Sequence, residues 1–290
     1  MIFDSIEKLV LAASQQGVSI GQLVLSQQAQ ELEESEEALK ERMGERLDVM
    51  LRSAEKGMDA TVRSTSGLTG GDAHKLFELG DGGFMGGFMA RATARAVAIA
   101  EYNAAMGKIV AAPTAGSCGI MPGCLLSLME EKKVKRDTLI LSMFTAAGFG
   151  MVIAEKACVA GAQGGCQAEC GSAAAMTAAA LVEAMGGTPL QASHACAIAL
   201  KNQLGLVCDP VAGLVEIPCI KRNAAGVVIA ASAADMALSG IDSKIPADEV
   251  ISAMKEVGDS MPAALRETAQ GGLAATPTGV RLRQQVFGKD

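Results

Sequence analysis

The stretch from residue 161 to residue 185, GAQGGCQAECGSAAAMTAAALVEAM, decides the fold class. Its first part is rich in glycine, and its second part is a run of alanine with scattered larger apolar residues. Alanine is the best helix former, and its small side chain lets neighbouring helices approach closely. We therefore predict a buried helix over residues 168–185. Two cysteines and a single charged residue, Glu169, lie at the start of this stretch, within residues 161–176.

The rest of the chain has the same composition. Half of its 290 residues are hydrophobic but only 3% are aromatic, so alanine, aliphatic residues and methionine must fill the core. Apolar residues recur at helical spacing and alternating strand patterns are hardly visible. We predict an all-α fold, in one compact domain over residues 1–290, with glycine-rich active-site loops. Eight further helices are predicted, at about residues 3–15, 36–58, 87–106, 121–132, 137–156, 189–204, 223–240 and 246–257.

Charge and N-terminal sequence limit the partners and the compartment. The net charge of −7 argues against nucleic acid and against an anionic membrane surface. Asp4 and Glu7 lie where a secretory signal would be basic, so we predict a cytoplasmic, reducing location. The longest uncharged run, residues 138–154, is at the short edge of a membrane span and is closed by Glu155 and Lys156. We interpret it as a buried helix, without membrane insertion.

In a reducing compartment the eight cysteines are not expected to form disulfides. Cys166 follows two glycines at the start of a predicted helix, where free amide groups stabilise a thiolate. Cys170, one turn further along, is expected in the core, and the glycine loop around Cys118 leaves the role of that residue open. Three cysteines in apolar or alanine-rich context are expected in the core: Cys124, Cys158 and Cys196.

Cys208 and Cys219 are stronger candidates for a metal site. Each lies in a predicted irregular segment beside a proline, in LVCDPV and in EIPCIKRN. Together with Cys166 they make three thiolates without a histidine at zinc-finger spacing. Three thiolates suit a 4Fe–4S cluster with one iron left open, a Lewis acid for a substrate hydroxyl. On local context alone, a chain with all eight thiols in its core remains an alternative.

Five segments carry a resemblance to a known family: STSGLTGGDA, APTAGSCGIMPG, GGCQAECGSA, LGLVCDPVAGLVEIPCIKRN and ETAQGGLAATPTG. Together they resemble the alpha chain of the bacterial iron–sulfur L-serine dehydratases, over essentially the whole chain. The resemblance implies a lyase that converts L-serine to pyruvate and ammonia without pyridoxal phosphate, using an oxygen-sensitive 4Fe–4S cluster. The implied cluster ligands are Cys166, Cys208 and Cys219, the same three that local context favours.

The resemblance also implies a partner. Single-chain members carry a further domain with a GPSSSH-type motif, and no such motif occurs in this sequence. We therefore expect a heteromer in which a separate beta chain completes the active site. The catalytic base is not identified here; Lys201 and His74 are available in this chain, but the resemblance favours a group from the beta chain.

Two loops are candidates for substrate binding. The segment RSTSGLTGGD has hydroxyls and glycines suited to holding the serine carboxylate, and we predict binding by Ser64, Thr65 and Ser66. In PTAGSCG, Thr114 and Ser117 are predicted to line the same pocket. The competing interpretation is that the glycines only serve tight turns.

Two other functions fit the same residues. A related cluster enzyme acting on another β-substituted amino acid, such as threonine or cysteine, would need the same ligands. A non-catalytic iron–sulfur sensor would bind the cluster but would not turn over an amino acid when its partner is present.

Overall fold

Residues 3–288 are described by a computed structural model, and over this range the chain is helical, with one isolated parallel bridge between Cys208 and Arg266 and no strand. The all-α prediction is confirmed. The α-helices in this range are α1 (Ile6–Gln16), α2 (Ile20–Leu32), α3 (Glu36–Gly57), α4 (Asp72–Leu79), α5 (Gly87–Ala104), α6 (Ile120–Glu131), α7 (Arg136–Lys156), α8 (Gly161–Gly164), α9 (Ser172–Ala184), α10 (Pro189–Lys201), α11 (Cys219–Leu238), α12 (Ala247–Ser260) and α13 (Pro277–Phe287).

The alanine-rich helix α9 lies at the centre of the fold. Each of its residues is buried except Glu183, and it packs against α6, α7, α10 and α11. The predicted helix over residues 168–185 differs at its start, because Gln167–Gly171 forms a wider π-helical turn before α9. This turn presents its side chains at a spacing different from that of an α-helix. It is the part of the stretch that reaches the candidate site.

Most predicted helices are present within a few residues of their expected ends, but four of the helices in the described range, including the four-residue α8, are not among those predicted, and one begins early. Polar residues hide the apolar stripe of α2, while α4 and α13 are short and follow glycine-rich segments. Helix α11 begins at Cys219, four residues before the predicted start at residue 223. Cys219 therefore lies in the first turn of a helix and not in an irregular segment, which corrects the prediction.

Carboxylates from other helices, two of them far away in sequence, bind the free backbone N–H groups at three helix N-termini. Asp248 accepts two N–H groups of α1 at 3.0 Å each, and Glu183 accepts the Gly21 N–H of α2. Glu101, fully buried, accepts two N–H groups at the start of α4. A negative charge at a helix N-terminus also stabilises the helix dipole. These contacts fix the mutual positions of helices that are far apart in sequence.

Helix α7 contains the uncharged run noted above. It is the one continuous helix among residues 3–288 that is long and apolar enough to cross a membrane, and 67% of its most apolar window is buried inside the protein. Such burial is typical of a core helix, in agreement with the interpretation of residues 138–154.

Two glycines of α3 differ in how closely a neighbouring helix packs against them, and this difference predicts opposite effects on stability. A Cβ atom on Gly57 would overlap the backbone of Ala98 in α5, whereas one on Gly44 would make ordinary contacts with side chains. We expect Gly57→Ala to lower the free energy of unfolding by about 1–3 kcal/mol through overpacking. Gly44→Ala, the matched control, should raise it by up to about 1 kcal/mol because alanine favours helix. Urea denaturation followed by circular dichroism measures both; equal effects would contradict the close approach of α3 and α5.

Candidate functional site

Three predicted ligands come from different segments and are all buried. Cys166 immediately precedes the π-helical turn, Cys208 lies in the loop after α10, and Cys219 is the first residue of α11. Cys166 and Cys208 pack in one small cluster with Cys170, beside Ile120 and Ala173. The charge of Cys219 acts on both Cys170 and Cys208, so it lies close to the same cluster.

The thiols of this cluster are not equivalent. The Sγ atoms of Cys166 and Cys170 lie 3.4 Å apart and share a hydrogen bond. That hydrogen bond, helped by the Arg222 guanidinium, lowers the pKa of Cys166 in spite of its burial. Burial raises the pKa values of Cys208 and Cys219, and the charge of Cys166 raises them further. Cys166 is thus the thiol of the three most readily present as a thiolate.

A buried ion pair orders the segment between Cys208 and Cys219. Arg222 donates to Asp209 Oδ1 at 2.9 Å and to the Val207 carbonyl at 2.8 Å. The side chains of Arg222 and Asp209 are 16% and 4% exposed. The guanidinium therefore fixes the two residues on either side of Cys208, while its charge acts on Cys166.

The C-terminal motif ETAQGGLAATPTG lies over this segment. The Cys208 N–H donates to the Leu265 carbonyl, and the Cys208 carbonyl accepts the Glu267 N–H. Asp209 Oδ2 accepts the Leu273 N–H at 2.7 Å. Gly272 has a φ of +57°, and a Cβ there would overlap the Asp209 side chain. Residues 263–276, which include most of this motif, thus form a cover that is hydrogen-bonded to Cys208 and to Asp209.

The first predicted substrate loop already binds a carboxylate of this chain. Ser66 Oγ and Thr69 Oγ1 donate to Glu216 Oε2 at 3.0 and 2.8 Å. Ser64 is buried, with its Oγ 3.2 Å from Ser66 Oγ, while Thr65 is exposed and donates its N–H to the Ala104 carbonyl. These hydroxyls are suitably arranged for a carboxylate.

A cleft of about 390 Å³ opens beside this loop. Its lining includes Thr65 and Ser66, together with Val215, Glu216 and the exposed Phe287 of α13. This volume lies in the range of small-molecule sites. Of the first loop's predicted residues, Thr65 and Ser66 therefore face the cleft, and Ser64 lies behind them as a support.

The second predicted loop contacts the π-helical turn. Thr114 Oγ1 donates to Glu169 Oε1 at 2.8 Å and lies 3.2 Å from Ser117 Oγ. Ser117 is fully buried and does not reach the surface. Glu169 Oε2 lies 3.9 Å from Cys208 Sγ, and burial raises the pKa of Glu169. The loop PTAGSCG is thus joined to the thiol cluster through Glu169.

Asn223 in the first turn of α11 joins the same loop to Cys219. Its side-chain amide donates to the carbonyls of Gly116 and Cys219, and its oxygen accepts the Gly119 N–H. All polar atoms of this fully buried side chain are used. Asn223 therefore holds the PTAGSCG loop against the N-terminus of α11.

The other residues singled out from the sequence lie elsewhere or differ in burial. Lys201 donates to the Ser243 carbonyl and hydroxyl, beyond the opposite end of α11 from Cys219. His74 lies on α4, near Asp59. Cys118 is fully buried, as are Cys124 and Cys196. Cys158, expected in the core, is only half-buried and lines a separate cavity of about 430 Å³ with Lys255.

Four residues of the site were not predicted as functional: Asp209, Glu216, Arg222 and Glu169. Glu169 gave a sequence signal, since it is the only charged residue in an otherwise small and apolar stretch. The other three lie inside the quoted motifs but gave no signal of their own. Over residues 3–288, no three His, Cys, Asp or Glu side chains are close enough to hold a single metal ion.

The chain is thus an all-helical protein in which buried thiols and carboxylates lie beneath a C-terminal cover. A family profile described as serine dehydratase alpha chain matches residues 15–274. The chain therefore belongs to the serine dehydratase alpha chain family.

Individual relatives agree over the full length of the chain. It is 50% identical to the "Probable L-serine dehydratase, alpha chain" of Bacillus subtilis (strain 168), over 99% of this chain and 96% of that protein. It is 46% identical to the "L-serine dehydratase, alpha chain" of Peptoniphilus asaccharolyticus, over 99% of each. The "L-serine dehydratase" of Streptomyces coelicolor (strain ATCC BAA-471 / A3(2) / M145) is 39% identical over 92% of this chain, which matches only 60% of that longer protein.

Proposed function

We propose that this chain is the alpha chain of a cytoplasmic L-serine dehydratase that converts L-serine to pyruvate and ammonia without pyridoxal phosphate. Its cofactor is a 4Fe–4S cluster held by Cys166, Cys208 and Cys219. The proposal rests on one observation: three buried thiols from three separate segments lie near one another and near the Arg222 guanidinium. The family and the names of its relatives support the same activity.

The donor set fits such a cluster better than a single ion. Each thiolate of a cluster binds a different iron, so its ligands need not converge on one point, in keeping with the absence of a one-ion site among the described residues. When bound, a cluster with three protein ligands supplies a Lewis-acidic iron that promotes loss of a hydroxyl group. Arg222 balances part of the negative charge that Cys166 contributes.

The chain's own residues would bind and orient the amino acid. Thr65 and Ser66 are proposed to bind the substrate carboxylate at the cleft, with the buried Ser64 supporting Ser66 from behind; Ser66 now donates to the carboxylate of Glu216. Thr114 is proposed to contact substrate at the second loop, with the buried Ser117 fixing its hydroxyl. The C-terminal cover keeps water away from the Cys208 segment. Removal of the substrate α-proton needs a base that we assign to the partner.

The partner is proposed to be a serine dehydratase beta chain. The relatives that match over their full length are named alpha chains, whereas the Streptomyces coelicolor protein is named without a chain and is substantially longer. A beta chain would supply, as a separate polypeptide, the part of the enzyme that the longer relative carries within the same chain. The cleft beside Thr65 and Ser66, open on the surface of this chain, is where a partner group would reach the substrate.

Anaerobic co-expression with the beta chain tests the proposal. The purified heteromer is expected to contain iron and acid-labile sulfide and to release equal amounts of pyruvate and ammonia from L-serine, while the alpha chain alone is inactive. Parallel assays with L-threonine and L-cysteine rank the substrates. A heteromer that holds the cluster but turns over none of these amino acids would refute the enzyme and favour the sensor.

A further inference from the structure

Among the residues that the structure describes, the carboxylate of Glu169 has no cationic partner, unlike Asp209. Asp209 is paired with Arg222, and Glu216 is held by two hydroxyls. Among the ion pairs of residues 3–288, none includes Glu169; one of its oxygens accepts a hydrogen bond from Thr114, and the other has only the distant thiol of Cys208. This partly buried carboxylate is therefore left with unused acceptor capacity.

Two glycines pack closely against this carboxylate and leave room for it. A Cβ on Gly161 would lie 2.6 Å from Glu169 Oε2, and one on Gly116 would lie 3.2 Å from Oε1. Neither glycine has a positive φ, so the backbone conformation does not require them. Their role at these positions is steric: any larger residue would press on the carboxylate of Glu169.

Glu169 is also reachable. The other side chains of its turn are buried, namely Gln167, Ala168 and Cys170, whereas Glu169 keeps part of its surface exposed. Val215 lies beside Gly116 and also lines the 390 Å³ cleft. The carboxylate thus contacts Cys208 of the thiol cluster on one side, and on the other side Gly116 and Val215 connect it to the wall of the cleft beside the Ser66 loop.

We propose that Glu169 binds the α-ammonium group of the substrate amino acid. An ammonium group has three donors and a full positive charge, which complements a carboxylate that lacks a cation. Recognition of the amino acid then has two ends, with its carboxylate at the Ser66 loop and its ammonium at Glu169. This assignment rests on the proposed function, and it names the residue that selects an amino acid over a hydroxy acid.

The test compares the Glu169→Gln heteromer with wild type and with Asp259→Asn, a control that removes an exposed carboxylate of helix α12. Glutamine keeps the acceptor for Thr114 but removes the charge. We expect the KM for L-serine to rise about 10- to 100-fold, with a smaller change in kcat and unchanged iron and sulfide content. The control should match wild type.

Two inhibitors of serine turnover separate ammonium binding from a general loss of affinity. L-alanine retains the ammonium group, and 3-hydroxypropionate lacks it. Glu169→Gln should weaken inhibition by L-alanine about 10-fold or more and leave inhibition by 3-hydroxypropionate unchanged. Equal weakening of both inhibitors, or a loss of kcat with KM unchanged, would overturn the assignment.

Gly116→Ala keeps the proposal testable if Glu169→Gln does not retain the cluster. Its methyl group would lie against Glu169 Oε1 and touches no thiol. The same selective loss of L-alanine inhibition is expected, and unchanged selectivity would overturn the assignment. A wild-type heteromer without serine turnover would remove the proposed function as well, whereas an active wild type with unaltered variants removes only the role of Glu169.

Discussion

Serine in place of Cys166, Cys208 or Cys219 is expected to abolish cluster retention in the anaerobic heteromer. A serine hydroxyl is a poor substitute for a thiolate, and loss of a direct ligand should lower turnover by more than the roughly 10- to 100-fold typical of supporting residues. Iron and acid-labile sulfide per chain, visible absorbance and pyruvate release give three independent measurements.

The control variants are Cys158→Ser and Cys170→Ser. Cys158 is half-buried in a separate cavity, so its replacement should leave iron content and turnover unchanged. At position 170 a hydroxyl can still share a hydrogen bond with Cys166, so most of the cluster should be retained. Similar losses in all five variants would show that the cysteines act through folding and would remove the ligand assignment.

Asp209→Ala is expected to destabilise the cluster-free chain strongly. The substitution leaves Arg222 buried without its partner and the Leu273 N–H without its acceptor. Breaking a buried ion pair from one side costs about 3–5 kcal/mol. Urea denaturation measures the loss, and limited proteolysis should show earlier cleavage in residues 263–276, because the cover has lost one of its attachments.

Asp259→Ala is the matched control for this effect. Its pair with Lys255 is exposed, with side chains 64% and 50% accessible, and lies within helix α12. Exposed pairs contribute about 0–1 kcal/mol, so a small change is expected. If Asp209→Ala were as mild as this control, the Arg222 pair could not be what orders the Cys208 segment.

The fold class was predictable because it depends on local composition. The alanine run of α9 and the periodicity of α3 and α5 indicate helices without knowledge of any partner. Helix α2 was missed because its glutamines mask the apolar stripe. The start of α11 was misplaced because Pro218 suggests a break, whereas in the structure it precedes the first turn.

The candidate site was predictable in its residue types and not in its pairings. The hydroxyl loops and the three cysteines follow from motifs, but the partner of Thr69 is Glu216, 147 residues further along the chain. Glu169 and Thr114 are 55 residues apart. Whether a carboxylate meets a hydroxyl, a guanidinium or open space depends on the packing of whole helices, which local patterns do not determine.

The carboxylates at helix N-termini have a consequence for synthesis on the ribosome. Amide groups of α1 are bound by Asp248 and one of α2 is bound by Glu183, and both carboxylates are made much later than the helices that they bind. Until then the nascent N-terminal half has no native acceptor for those groups. These contacts can therefore form only late in translation, after the segments that contain Glu183 and Asp248 have been made.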